Sequence, residues 1–165
     1  MAKDSFRQSS GDDLLVATFL LGGGTFGLDT AIIQEVVMVG EVTPVHHAPA
    51  YVAGIRNLRG RIVTVIDLKM RLELPLADRS SENRILIADW KGEPVGLLVD
   101  SVQDTVEIGT GDLLPPPPNL NGVQMQKLIG VFRCGDRLAA LLDPIAVLNP
   151  YDGTSLSLSH EETMK

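Results

Sequence analysis

Little cysteine, few aromatics, a deficit of positive charge and no long apolar run mark this 165-residue sequence. A single cysteine, Cys134, excludes an internal disulfide and suits a reducing compartment. One tryptophan, two tyrosines and four phenylalanines are too few for a platform on which nucleic-acid bases stack. Fourteen Lys and Arg against 21 Asp and Glu give a net charge of −7, whereas nucleic-acid binding rests on phosphate neutralisation by basic side chains. The longest early apolar run, residues 14–21, is too short to span a bilayer, and Asp12 and Asp13 before it are wrong for a signal peptide. These absences point to a soluble cytoplasmic protein with no nucleic-acid partner and no direct membrane insertion.

What is present is an ordinary globular composition, 44% hydrophobic and 21% charged. A chain of this size buries roughly 70% of its unfolded surface and needs neither metal nor disulfide to fold. Residues 1–12 and 150–165 lack a periodic apolar face and read as flexible tails around one folded unit, 13–149. Within that unit, short runs of Val, Ile and Leu split by glycines favour short strands over long helices. A recurring strand–turn–strand unit ends each time in an aspartate: Asp29, Asp67, Asp100 and Asp143. Asp143 precedes Pro144 and a short apolar stretch, the pattern of an N-cap with proline at the first helical position. Asp29 and Asp67 are placed to cap single turns in the same way. The expected fold is all-β, two small barrels or a folded sandwich built from four hairpins, with helix confined to turns near Thr30, Leu68 and Ile145. No helix of ten residues between Gly22 and Val39 and no parallel sheet are expected. Residues 77–83 and the four prolines at 115–118 are the expected connections.

Several motifs lose their chemistry in context. Gly22, Gly24 and Gly27 satisfy G-x-G-x-x-G, but no ten-residue amphipathic helix follows, so a glycine-rich hairpin turn is the better reading. His46 and His47 are adjacent, would point to opposite sides of an extended chain, and have no further ligands at metal-site spacing. Cys134 has Arg133 and Arg137 nearby but no histidine that the sequence places beside it, and no G-x-S-x-G is present. The prolines at 115–118 satisfy P-x-x-P, yet inside a folded segment they read as a stiff spacer. No catalytic residue, metal or cofactor is assigned. The local charge is more informative: Arg56, Arg59, Arg61, Lys69 and Arg71 form a basic island on an acidic chain, opposed only by Asp67, and suggest a surface for an acidic or polar partner.

At residues 54–68, Gly-Ile-Arg-Asn-Leu-Arg-Gly-Arg-Ile-Val-Thr-Val-Ile-Asp-Leu, the chain resembles the CheW family of bacterial chemotaxis coupling proteins, whose hallmark is G-[IV]-x-N-L-R-G followed by an apolar strand and D-L. Phe26-Gly27-Leu28-Asp29 through Gln34-Glu35-Val36 is similar to the family's "YGVD…VQEI", and residues 49–54 to its "TPAFIKG". Residues 95–102 are similar to "VGIVVDGV", Leu114 with the prolines after it to "IRPAP", and residues 128–131 with 141–143 to the closing hairpin and terminal helix.

The resemblance implies two five-stranded SH3-like β-barrels on a shared hydrophobic core, with a short helix near the C-terminus. It also implies a non-enzymatic adaptor between the cytoplasmic tip of chemoreceptors and the regulatory domain of a CheA-type histidine kinase. Related members serve pilus-based or gliding motility; an enzyme with an unrecognised site is the remaining alternative. Carried over by position, the receptor contacts in the groove between the barrels are Ile33, Glu35, Gly54, Arg59, Val102 and Thr105. Thr105 departs from the family's usual apolar residue. Asn57 and Gly60 shape the turn that presents Arg59, with Glu35 placed to hold it or to meet the partner. Arg59 is then expected to be accessible while residues 62–66 are buried.

Overall fold

Ten strands and a handful of short helical turns follow from the glycine and aspartate punctuation. The computed structural model describes residues 13–76, 78–118 and 122–150, so the tails expected at 1–12 and 150–165 lie, but for Pro150, outside the described residues. The strands are β1 (Asp13–Leu21), β2 (Gly24–Asp29), β3 (Ile33–Met38), β4 (Val52–Leu58), β5 (Arg61–Asp67), β6 (Arg84–Trp90), β7 (Glu93–Val99), β8 (Ser101–Gly109), β9 (Leu128–Cys134) and β10 (Arg137–Leu142). The helices are α1 (Leu68–Arg71), α2 (Gly122–Lys127) and α3 (Pro144–Leu148), with 3-10 turns at Thr30–Ile32 and Thr110–Asp112.

The four expected hairpins are β1–β2, β4–β5, β6–β7 and β9–β10. Gly22 and Gly23 form the first turn, both at positive φ, so the glycine motif is a hairpin loop. The capping aspartates behave as expected: Asp29 accepts from the Ala31 amide, Asp67 from those of Lys69 and Met70, and Asp143 from that of Ile145. Two helical elements, Thr110–Asp112 and α2, add to the three expected.

The strands form two five-stranded sheets, ordered β8-β1-β2-β10-β9 and β3-β6-β7-β5-β4. Neither sheet is a parallel sheet, as expected, but each holds one parallel pair: β10 runs parallel to β2 and β5 parallel to β7. The sheets are topological copies: in each, a central hairpin pairs with an outer hairpin through one parallel contact. The strand following each central hairpin crosses over to edge the other sheet. β3 leaves β2 to pair with β6, and β8 leaves β7 to pair with β1. This reciprocal exchange explains why four similar hairpins give two sheets that cannot be pulled apart.

The exchange also locates the core. Phe19, Leu21, Leu28 and Leu142 from the first sheet meet Ile66, Leu86, Leu97 and Val99 from the second in one buried cluster, closed by Leu68, Val147 and Leu148 of the helices and by Leu72 just after α1. Separate clusters lie behind each sheet, around Val16, Phe132 and Leu141 on one side and Val63, Val65 and Ile85 on the other. Burying one large apolar side chain contributes about 1.5–3 kcal/mol, so the shared cluster dominates cohesion between the halves. Among the described residues, no helix is long and apolar enough to cross a membrane.

Candidate partner-binding site

Arg59 sits at the tip of the β4–β5 hairpin. Leu58 pairs with Arg61, leaving Arg59 and Gly60 as a two-residue loop, and both have positive φ, 54° and 86°. That is the backbone demand of a type I′ turn, which matches the natural twist of paired strands. The Asn57 side-chain oxygen accepts from the Gly60 amide at 2.9 Å and braces the loop. Arg59 thereby stands clear of the sheet with 66% of its side chain exposed, and its guanidinium donates to the Glu35 carboxylate on β3. The two β-edge elements of the second sheet are thus joined over its rim. A pocket of about 170 Å³ opens beneath the pair, lined also by Gln34, Arg61 and Pro94.

Strand register places the apolar candidates. Residues directly opposite in an antiparallel pair share a face. Val102 lies opposite Phe19, a member of the shared core, and is 37% exposed; Thr105 lies opposite Ala17 and is exposed. Ile33, half-buried on β3, packs against the same shared core from the second sheet. Val102, Thr105 and Ile33 therefore sit on faces that converge on the seam between the sheets, with Glu35 and Arg59 on the second sheet's side.

Gly54 is different. It is buried, and a Cβ there would come within 2.2 Å of the Thr43 carbonyl oxygen. That close approach lets Thr43 and Ile55 exchange two backbone hydrogen bonds of 2.8 Å, tying the β3–β4 connection to β4.

Two expectations about charge and burial are corrected here. The basic island is not one surface. Arg56 donates from Nε to the Val39 carbonyl, and Lys69 and Arg71 are buried, 8% and 5% exposed. Arg71 lies 4.0 Å from the centre of the Tyr51 ring and donates to the carbonyls of Ala146 and Asn149. Only Arg59 and Arg61 remain outward. Residues 62–66 are not uniformly buried either, because a strand alternates: Val63, Val65 and Ile66 are inside, whereas Ile62 is 59% exposed.

Lys69 of the basic island and the closing aspartate Asp100 form an ion pair of 2.7 Å that the sequence alone does not reveal. One signal was available: Asp100 alone among the four closing aspartates is followed by a strand instead of a helical turn. His46 and His47 lie exposed in the β3–β4 connection, and among the described residues no cluster of His, Cys, Asp or Glu is arranged to hold a metal ion.

The fold defines a domain of two five-stranded sheets that exchange their edge strands. The CheW-like domain family matches residues 15–151, and the chain belongs to that family. It is 31% identical over 125 residues to the chemotaxis protein CheW of Rhizobium meliloti, covering 76% of this chain and 81% of that protein. It is 32% identical over 132 residues to the CheW of Treponema pallidum, covering 78% of each. The protein FrzA of Myxococcus xanthus is 27% identical over 124 residues, 74% of this chain and 76% of that one. Among solved structures, the scaffolding protein TtCheW of Thermoanaerobacter tengcongensis superposes with a TM-score of 0.72 at 31% identity, covering 79% of this chain and 88% of that chain.

Proposed function

We propose that this chain is a non-enzymatic adaptor that couples the cytoplasmic tips of chemoreceptors to the regulatory domain of a CheA-type histidine kinase. It works in the cytoplasm, recruited to receptor arrays, and needs no cofactor. The observation that carries the reading is the outward Arg59–Glu35 pair, raised on a braced turn beside apolar faces that converge on the seam. A receptor helix laid along the seam rests its apolar side on Ile33 and Val102. Arg59 offers it a forked, charge-assisted donor for a carboxylate or backbone carbonyl. Thr105 adds a polar contact on the same face, and Gly54, Asn57 and Gly60 hold the backbone that presents these groups. The kinase domain pairs elsewhere, through exposed apolar strand ends. A second reading is that the same adaptor serves a non-flagellar motility pathway; the chain's relatives include the protein FrzA besides proteins named CheW.

Calorimetry and co-sedimentation of the purified chain with a receptor-tip fragment and with a kinase regulatory domain test this reading. Each partner is expected to bind alone, and the three together to form one complex. Binding of neither partner at micromolar concentrations would overturn it.

A further inference from the structure

Asp100 stands where the chain leaves the second sheet at the end of β7 and enters the first at β8. Four of its polar groups are engaged, two with each half. Toward the first sheet, its amide donates to the Leu20 carbonyl at 3.0 Å, and Oδ2 accepts from the Gly22 amide at 2.9 Å. Toward the second, Oδ1 receives the Lys69 ammonium at 2.7 Å, and the Asp100 carbonyl accepts from Nδ2 of Asn83 at 2.9 Å. Lys69 belongs to α1, directly after β5, and Asn83 directly precedes β6. Among the described residues, the opposite crossover, from Asp29 to Ile33, has no such tie: the Asp29 carboxylate caps its own turn through Oδ1, and Oδ2 has no hydrogen-bond partner.

We propose that Asp100 and Lys69 are positioning residues whose ion pair fixes the angle between the two sheets, and with it the groove in which the receptor helix docks. The proposal rests on the groove reading given above. Its physical basis is a division of labour between interactions. The shared apolar core holds the halves together, but hydrophobic burial is non-directional, and apolar surfaces of similar volume repack with little loss. Hydrogen bonds with defined geometry to both bodies select one arrangement. The Lys69 side chain is only 10% exposed and that of Asp100 28%, against 66% and 36% for Arg59 and Glu35. The Lys69–Asp100 pair is therefore far less screened, and removing one partner leaves a charge unpaired in a poorly solvated place. Val102 lies two residues beyond Asp100 on β8, and Ile33 and Glu35 lie across the seam on β3. A change at Asp100 thus moves one wall of the groove against the other.

The experiment measures the sheet-to-sheet distance directly. Spin labels replace Leu138 on β10 and Ile62 on β5, both more than half exposed, in a Cys134→Ser background. Pulsed electron resonance is expected to give one narrow distance distribution in this protein. Lys69→Met, which keeps the apolar stem, should broaden or shift it and weaken receptor-tip binding about five- to tenfold. Lys69→Gln, which keeps a neutral donor, should fall between the two and serves if the methionine variant does not fold. An unchanged distribution in a folded Lys69 variant overturns the proposal, even if its melting temperature falls, because the pair would then only brace the structure. If the parent chain bound no receptor tip while the distribution still broadened, the adaptor reading would fall and the control of sheet angle would stand.

Discussion

The Arg59 guanidinium donates to the Glu35 carboxylate, so the tip of one hairpin is tied to the edge strand that crosses over from the other sheet. An ion pair this exposed contributes within about 1 kcal/mol to stability, and its effect is orientation. Arg59→Ala should therefore change the melting temperature little. If the pair presents Arg59 to a receptor helix, loss of a charge-assisted contact should cost on the order of 2–3 kcal/mol of binding, tens- to a hundredfold in affinity. Kinase binding should stay nearly constant. Scanning calorimetry and titration of both partners check this on one variant, and a parallel fall in stability and both affinities would show that Arg59 only braces the rim.

Glycine at position 54 is required by the backbone, and the expected outcome of Gly54→Ala is correspondingly different. A Cβ 2.2 Å from the Thr43 oxygen forces the β3–β4 connection away and breaks the paired hydrogen bonds there. A cost on the order of 3 kcal/mol is expected in urea unfolding, with any loss of receptor binding following from it. A stable variant with selectively weakened binding would make Gly54 a contact surface instead.

Much of the fold was legible because its determinants are local. Two-residue glycine turns and aspartate caps fix hairpins and helical turns within a few residues, as at Asp67, Gly60 and Asp143. The parallel β2–β10 and β5–β7 contacts were not legible, since residues more than a hundred positions apart in the first case are brought together only by the crossover exchange. The basic island misled for a related reason. Clustering along the chain says nothing about which face a side chain takes, and Lys69 and Arg71 turn inward to bind Asp100 and the carbonyls of α3 and Asn149. Of the candidate site, the Arg59 turn was readable from Asn57-Leu58-Arg59-Gly60 itself. The facing of Val102 and Thr105 required the register with β1, which a bulge between Ala17 and Phe19 shifts.

That register makes Val102 and Thr105 separable probes of the groove. Val102→Glu places a charge on a partly exposed apolar site and should leave folding within about 0.5 kcal/mol of the parent. It should reduce receptor-tip affinity at least about tenfold, equivalent to 1.4 kcal/mol. Thr105→Leu places an apolar side chain at this exposed position and is expected to raise affinity severalfold through added apolar burial. Titration of both variants with a receptor-tip fragment decides the matter. Unchanged affinity in both would remove β8 from the interface.

The unclamped crossover predicts a pH effect at Asp29. Its side chain is nearly inaccessible, Oδ2 is buried without a hydrogen-bond partner, and burial raises its pKa above the ordinary carboxylate value, opposed only by the Ala31 amide. The folded chain therefore holds this proton more tightly than the unfolded chain does. The stability it contributes is fully present below the unfolded pKa and is lost as pH rises through the folded one. In its ionised form Asp29 is a buried charge with one carboxylate oxygen left without a hydrogen-bond partner. Asp29→Asn keeps the Oδ1 acceptor that caps the Thr30–Ile32 turn and removes the charge. The melting temperature of the variant should rise relative to the parent's as pH increases, the gap closing toward the acid range. Melting curves of both proteins across that range supply the check: a gap independent of pH would mean that Asp29 is not the titrating group.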